Sequence, residues 1–323
     1  MNDPQFALIG SNTGMNWRNG CVHPADNPVD VWQFELDLAA DEVAELERVL
    51  SPDEQARASR FGHANDRDRY IVAHGSLRML LGRYIDESPG QLEFSHTPNG
   101  KPRLVNPAHP ALCFNMSHSG KVALVAVACG REVGIDVERI DLNCDFESVA
   151  REFFAPAEQA ALRTSPSHER RNTFFQLWTC KESILKAMGE GFQRSPASIS
   201  LTLQRDQESV VLEIPQNPTE AGRWSTRILP GITGYAAALT IAGEDSEQKW
   251  NIRCLGSVCW PASSARPLLL YLVRMASFAR RAHHVFKTTV RDGSSRFEKC
   301  PFPIRHRSND WYRCGCIGSA SIP

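Results

Sequence analysis

Trp178-Thr179-Cys180-Lys181-Glu182-Ser183-Ile184-Leu185-Lys186 sets two lysines and a glutamate inside a stretch whose apolar residues keep helical spacing. Phe174, Phe175, Leu177, Trp178, Ile184, Leu185 and Met188 recur at that spacing, so a helix with one buried face is expected from Thr173 to Met188. Trp178, Glu182 and Lys186 step by four residues, which places Glu182 and Lys186 one turn apart and turns Lys181 about 100° away. Taken alone, the pair also fits an ordinary surface Glu-then-Lys contact. Gly189-Glu190-Gly191 closes the helix, with glycine where a C-terminus favours a left-handed residue.

Outward from this helix, the length of 323 residues and a hydrophobic fraction of 42% suit a globular protein with a substantial core. No apolar run approaches the ~20 residues that span a bilayer, and the first thirty residues lack a basic start followed by an apolar block. A cytoplasmic protein without a membrane span is expected. The ten cysteines are scattered with no CxxC pair, which argues against a disulfide framework or a zinc module. The net charge of −1 hides an asymmetry: residues 251–323 hold 12 Lys/Arg against 3 Asp/Glu. A boundary near residue 245 follows from that break.

Residues 1–28 read as an irregular lead-in rich in Asn, Gly, Asp and Pro, with Met15 as an alternative start. Val29 to Leu38 alternates apolar and polar residues, the mark of a half-buried strand. Ser51-Pro52-Asp53-Glu54 carries an N-cap serine, a first-turn proline and a glutamate at N3, so a helix through Arg60 is expected. A second helical pattern runs from Asp66 to Tyr84, and Arg57, Arg60, Arg67, Arg69 and Arg78 offer a basic face, read equally as a solvated surface. Pro98-Asn99-Gly100-Lys101-Pro102 is a turn in which Asn-Gly supplies positive φ and Lys101 stands at the tip.

Leu112 to Met116 reads as a short strand and Val122 to Ala128 as a buried one, leaving Ser117 and His118 in the connecting loop. A nucleophile–base pair is not expected there, because adjacent residues seldom aim at each other and no Gly-x-Ser-x-Gly elbow surrounds them. Glu132 to Ile140 is a strand whose period of two puts Asp136 and Glu138 on one face. Paired carboxylates repel unless a positive group lies between them, and Mg²⁺ commonly takes such ligands together with substrate phosphates. An exposed polar strand face is the alternative. A helix ending at Leu162 and strands at Ile199–Leu203, Val210–Ile214, Trp224–Leu229 and Tyr235–Ile241 complete the pattern.

Gly100-Lys101-Pro102, Asn115-Met116-Ser117-His118-Ser119-Gly120, Val133-Gly134-Ile135-Asp136-Val137-Glu138 and Trp178-x-x-Lys181-Glu182-Ser183-x-x-Lys186, in this order, resemble the signature blocks of the surfactin-type 4'-phosphopantetheinyl transferases. The resemblance covers roughly residues 28–242. It implies an α+β fold of two similar halves related by a pseudo-twofold axis, here residues 29–128 and 129–243, followed by a basic extension over 244–323. It further implies a monomer that moves the phosphopantetheine arm of coenzyme A onto a serine of an apo acyl, polyketide or peptidyl carrier protein, releasing adenosine 3',5'-bisphosphate. By the same resemblance Asp136, Glu138 and Glu182 hold Mg²⁺, and Lys186 stabilises charge on the pyrophosphate or protonates the leaving phosphate. Lys101, Ser117, His118, Arg57 and Arg60 bind coenzyme A. Glu182 is also a candidate base for the carrier serine, with a water on the metal as the alternative. Lys181 is assigned local structure or charge.

The extension departs from the family. Pro267 to Arg291 reads as a basic amphipathic helix or as part of a poorly ordered extension. Three rival functions stay open at this point: a carrier-binding module without transfer, a Mg²⁺-dependent phosphohydrolase, and nucleic-acid binding through the basic tail, against which the resemblance speaks.

Overall fold

The computed structural model describes residues 29–105, 111–204, 208–243 and 252–255, all within one compact unit. The basic stretch from Pro267 to Arg291 lies outside the described residues. In chain order the elements are β1 (Val29–Glu35), α1 (Ala40–Glu47), α2 (Pro52–Ala58), α3 (Ala64–Ile85), β2 (Phe94–His96), β3 (Pro102–Leu104), β4 (Leu112–Ser119) and β5 (Val122–Cys129). There follow β6 (Val133–Arg139), α4 (Phe146–Phe153), α5 (Pro156–Thr164), α6 (Arg170–Met188), β7 (Ser200–Leu203), β8 (Ser209–Glu213), α7 (Pro218–Ala221), β9 (Trp224–Ile228), β10 (Tyr235–Ala242) and β11 (Ile252–Leu255). The fold is α+β.

One sheet has the order β11-β1-β5-β4 and the other β6-β10-β9-β8-β7, with β2 and β3 forming a small hairpin. Strand β11 falls inside the stretch read as an extension, yet it pairs in parallel with β1, Val29 opposite Ile252. Strand β1 is therefore flanked on both edges, and it is less half-buried than its alternation predicts: Asp30 and Trp32 are buried along with Val29 and Val31. The cause is α3, whose Tyr84 hydroxyl donates to Asp30 Oδ2 at 2.5 Å and accepts from Trp32 Nε1 at 2.9 Å.

The two sheets share an apolar layer. Val29, Val31, Leu124 and Ala126 of the first pack with Ile135, Val137, Leu239 and Ile241 of the second. The opposite face of the second sheet, through Ala236, Ala238, Ile228 and Leu201, packs under α6 with Phe174, Phe175, Leu177 and Ile184. Asp136 and Glu138, being even-numbered on β6, face that helix. The helix crosses β6 closely enough to need glycine at 134: a Cβ there would lie 2.1 Å from Ser183 O and 2.4 Å from Ala187 N.

Helix α2 begins as its sequence demands, with Ser51 Oγ accepting from Glu54 N and Glu54 Oε2 accepting from Ser51 N, and ends at Ala58, two residues before the expected Arg60. The predicted basic face is not one surface. Arg78 is buried, donating to Glu54 Oε2 at 2.6 Å and to the carbonyls of Pro89 and Leu92. Arg69 bonds Asp37 at 2.7 Å, and Arg57 lies over the Tyr70 ring.

Glu54 titrates far below its ordinary value of 4.5, at about 2; burial pushes upward, but His74, the Ser51 amide and Arg78 outweigh it. Burial also lowers His74, so near neutral pH the Ser51 amide and the Arg78 guanidinium carry the effect. A depressed carboxylate stabilises the fold above its unfolded pKa and loses that contribution as pH falls through the folded one. Glu54→Gln, which keeps a capping side chain, is expected to cost about 2 kcal/mol at pH 7. The gap to the unaltered chain should shrink from about pH 4.5 downward and close near pH 2, as read by urea unfolding across that range.

Candidate active site

The site is built where β4, β6 and α6 meet. Asp136, Glu138, Glu182, Lys186, Ser117, Ser119 and Asn115 are all buried, an unusual density of polar groups for a protein interior. Lys186 Nζ donates to Asp136 Oδ1 at 2.6 Å and to Ser117 Oγ at 3.0 Å. Ser117 Oγ donates to the same Asp136 oxygen at 2.7 Å. Ser119 Oγ donates to Glu138 Oε2 at 2.9 Å. Burial first, then the Asp136 charge, pushes the Glu138 carboxyl up to about 8, with Glu182 adding to the push and Ser119 and Lys186 opposing it. Three acidic groups thus bear on one another, with Lys186 bonded to Asp136 among them.

Ser117 and His118 lie within β4, not in a loop as the sequence reading has it. The β4–β5 ladder continues to Ser119 opposite Val122, and only Gly120, at φ +56°, and Lys121 make the turn. His118 is held neutral, lowered to about 4 by burial and then by His74 and Lys186. Its ring therefore senses both the α2–α3 side, where His74 stacks on Tyr70 with centroids 4.1 Å apart, and the α6 side. Arg57 continues this line over the Tyr70 ring, 6.0 Å from its centroid, while Arg60 is exposed.

Lys101 is not at an exposed tip. Gly100 takes φ +88° after a turn closed by Gly100 N donating to Thr97 O, and Asn99 has no positive φ. The Lys101 side chain then runs inward, where Nζ donates to Glu132 Oε2 at 2.7 Å, Val133 O at 3.0 Å and Ala187 O at 3.1 Å. All three ammonium protons are engaged, tying the start of β6 to the end of α6. Lys181 is likewise internal: it pairs with Glu158 at 2.9 Å and donates to Pro196 O and Ile199 O. The sequence reading missed Asn115, Ser119 and Glu132 as members of this network; the signal available was the polar residue at every second position of β4.

As to metal, no group of three or more His, Cys, Asp or Glu side chains among the described residues is placed to hold an ion by itself. The donor set nevertheless fits a hard divalent cation. Asp136 Oδ2 is buried without a hydrogen-bond partner among the described residues, and Glu138 is raised by burial and then by its acidic neighbours, a cost that a bound cation would offset. Mg²⁺ needs only one or two carboxylates when phosphates and waters complete its shell.

A buried carboxylate pair opposed by a lysine, where the two sheets meet along β4 and β6, suits a site that binds and transfers phosphate, and the chain belongs to the 4'-phosphopantetheinyl transferase superfamily. Residues 132–240 match that superfamily's description, and residues 39–130 match that of the 4'-phosphopantetheinyl transferase N-terminal region. Among its relatives, 4'-phosphopantetheinyl transferase HetI of a Nostoc species is 36% identical over 222 residues, covering 67% of this chain and 88% of HetI. 4'-phosphopantetheinyl transferase Sfp of Bacillus subtilis is 28% identical over 211 residues, covering 64% of this chain and 89% of Sfp. A solved ACPS–CoA complex of Chronobacterium ammoniagenes aligns at 19% identity and TM-score 0.28, over 36% of this chain and 98% of that one.

Proposed function

We propose that Asp136, Glu138 and Glu182 would hold Mg²⁺, which would neutralise charge on the pyrophosphate of coenzyme A, while Lys186 stabilises charge on the leaving phosphate. The chain is a 4'-phosphopantetheinyl transferase, and its substrates are coenzyme A and an apo carrier protein. The observation that carries the assignment of residues is the bonding of Lys186 to Asp136, with Ser117 bridging them, beside Glu138 and Glu182 in a buried site.

The carrier serine Oγ attacks the phosphorus that bears the pantetheine arm. A new P–O bond forms, the bond to adenosine 3',5'-bisphosphate breaks, and the serine proton leaves to a base, for which Glu182 is our candidate. Little covalent work falls to the protein in such a step; its task is to position and to neutralise charge. The metal supplies Lewis-acid neutralisation of the phosphate oxygens. Lys186 supplies the second positive charge and stabilises or protonates the leaving phosphate. His118, kept neutral by its surroundings, offers hydrogen bonds to coenzyme A, with Arg57 and Arg60 lending charge from α2 and the turn after it. Ser117 and Lys101 are engaged by protein groups, which favours indirect roles for both. We read the enzyme as a cytoplasmic monomer; among the described residues no helix is long and apolar enough to cross a membrane.

The test is the intact mass of an apo carrier protein incubated with this protein, coenzyme A and Mg²⁺, with a chelator control. Gain of one phosphopantetheine arm, lost with chelator, is the expected result. Coenzyme A binding without gain on acyl, polyketide and peptidyl carriers would sink the reading.

A further inference from the structure

We propose that Asn115, Ser117 and Ser119 act as a strand made of side chains that closes the open edge of β6, and that its two hydroxyls aim Asp136 and Glu138, making Ser119 a positioning residue for the reaction. The kinetic part rests on the reading of Asp136 and Glu138 given above.

Among the described residues strand β6 is the terminal strand of its sheet and pairs only with β10. Its even-numbered groups serve that pairing: Ile140 N donates to Gly234 O and Glu132 O accepts from Ala242 N. The amides of Ile135, Val137 and Arg139 consequently point the other way, toward β4, and a buried amide needs an acceptor. Strand β4 does not pair with β6 by backbone. Its alternate side chains repeat about every 6.7 Å, the same interval as alternate amides on a neighbouring strand. Asn115 Oδ1 accepts from Ile135 N at 2.9 Å, Ser117 Oγ from Val137 N at 3.4 Å, and Ser119 Oγ from Arg139 N at 3.0 Å.

The choice of residue at each step follows the residue that precedes the amide. Before Val137 and Arg139 stand Asp136 and Glu138, and there β4 offers hydroxyls, which accept from the amide and donate a hydrogen bond to the carboxylate. Before Ile135 stands Gly134, which has no side chain to fix, and there an asparagine oxygen suffices. Each carboxylate is thereby held by a hydroxyl anchored on the next peptide. The same contacts join the edges of the two sheets.

Ser119→Ala removes both bonds with little change of volume. We expect amide hydrogen exchange at Arg139 to quicken about tenfold, and kcat for transfer to fall about tenfold while KM for coenzyme A moves less than twofold. Ser119→Thr, which retains the hydroxyl, should restore both. Asn115→Ala should quicken exchange at Ile135 in the same way. Unaltered exchange at Arg139 in Ser119→Ala overturns the proposal, and so does a raised KM for coenzyme A with kcat intact, since that marks a substrate ligand. Glu138→Gln is the control for the underlying reading: full transfer by that variant removes the role of the carboxylate, whereas the exchange results judge the β4 device independently.

Discussion

Asp136→Asn will transfer phosphopantetheine at least about a thousandfold more slowly than the unaltered chain, Lys186→Met will lose about as much, and the double variant little more than either. The reason lies in the shared atom. Asp136 Oδ1 accepts from both Lys186 Nζ and Ser117 Oγ, and Lys186 also donates to Ser117, so the three groups form a closed triangle of hydrogen bonds. Removing the carboxylate charge takes from the lysine the acid it bonds, and on the proposed reading would weaken the hold on a cation; removing the lysine leaves a buried carboxylate charge beside Glu138 and Glu182. Either change destroys the same electrostatic arrangement, and contacts within one network are not additive. Asparagine and methionine are close in size to what they replace, which favours retention of the fold. Single-turnover transfer rates for the four proteins, with circular dichroism to confirm folding, check this. Additive losses in the double variant would show that the two residues act separately.

The legible parts of this structure are those in which one local rule acts alone. Strands β7 to β10 are short, largely apolar runs set off by polar, Gly or Pro turns, α2 follows its capping box, and α6 follows apolar spacing over 19 residues. Helices α1 and α4 escape such reading. Helix α1 buries only Val43 and Leu46, too few anchors to set a period, and α4 is eight residues long and starts from an Asp145 cap. In the site, a period of two finds Asp136 and Glu138, and a step of four finds Glu182 and Lys186. The network around them depends on which strand lies beside which, and that is a property of the sheets. Nothing local in Gly100-Lys101-Pro102 says that the lysine reaches Ala187 O, 86 residues on. Ser117-His118-Ser119 reads as a turn because hydroxyls and glycine are turn residues. In the fold the hydroxyls are strand residues facing a second strand's amides.

The other large effect concerns a residue with no side chain. Gly134→Ala is expected to destabilise the protein by at least about 3 kcal/mol, at the upper end of what overpacking costs. The new Cβ would meet Ser183 O at 2.1 Å, Ala187 N at 2.4 Å and Ala187 Cα at 2.9 Å, all backbone atoms of one helix. No rotamer change can relieve a clash with backbone; α6 must move away from β6. That helix is also held to the same sheet face around Gly134. Ser183 Oγ shares a hydrogen bond with Thr240 Oγ1 at 2.7 Å, Lys101 bonds Ala187 O, and Phe174 and Phe175 are fully buried beneath it. Displacement therefore breaks packing as well as hydrogen bonds, and it carries Glu182 and Lys186 away from Asp136 and Glu138. A melting temperature lower by about 10 °C is the expected reading for a domain of this size. Transfer should fall even at temperatures where the variant is folded. A variant that melts within a degree or two of the unaltered chain would mean that α6 and β6 do not approach as closely as described, and the geometry assigned to Lys186 and Asp136 would fall with it.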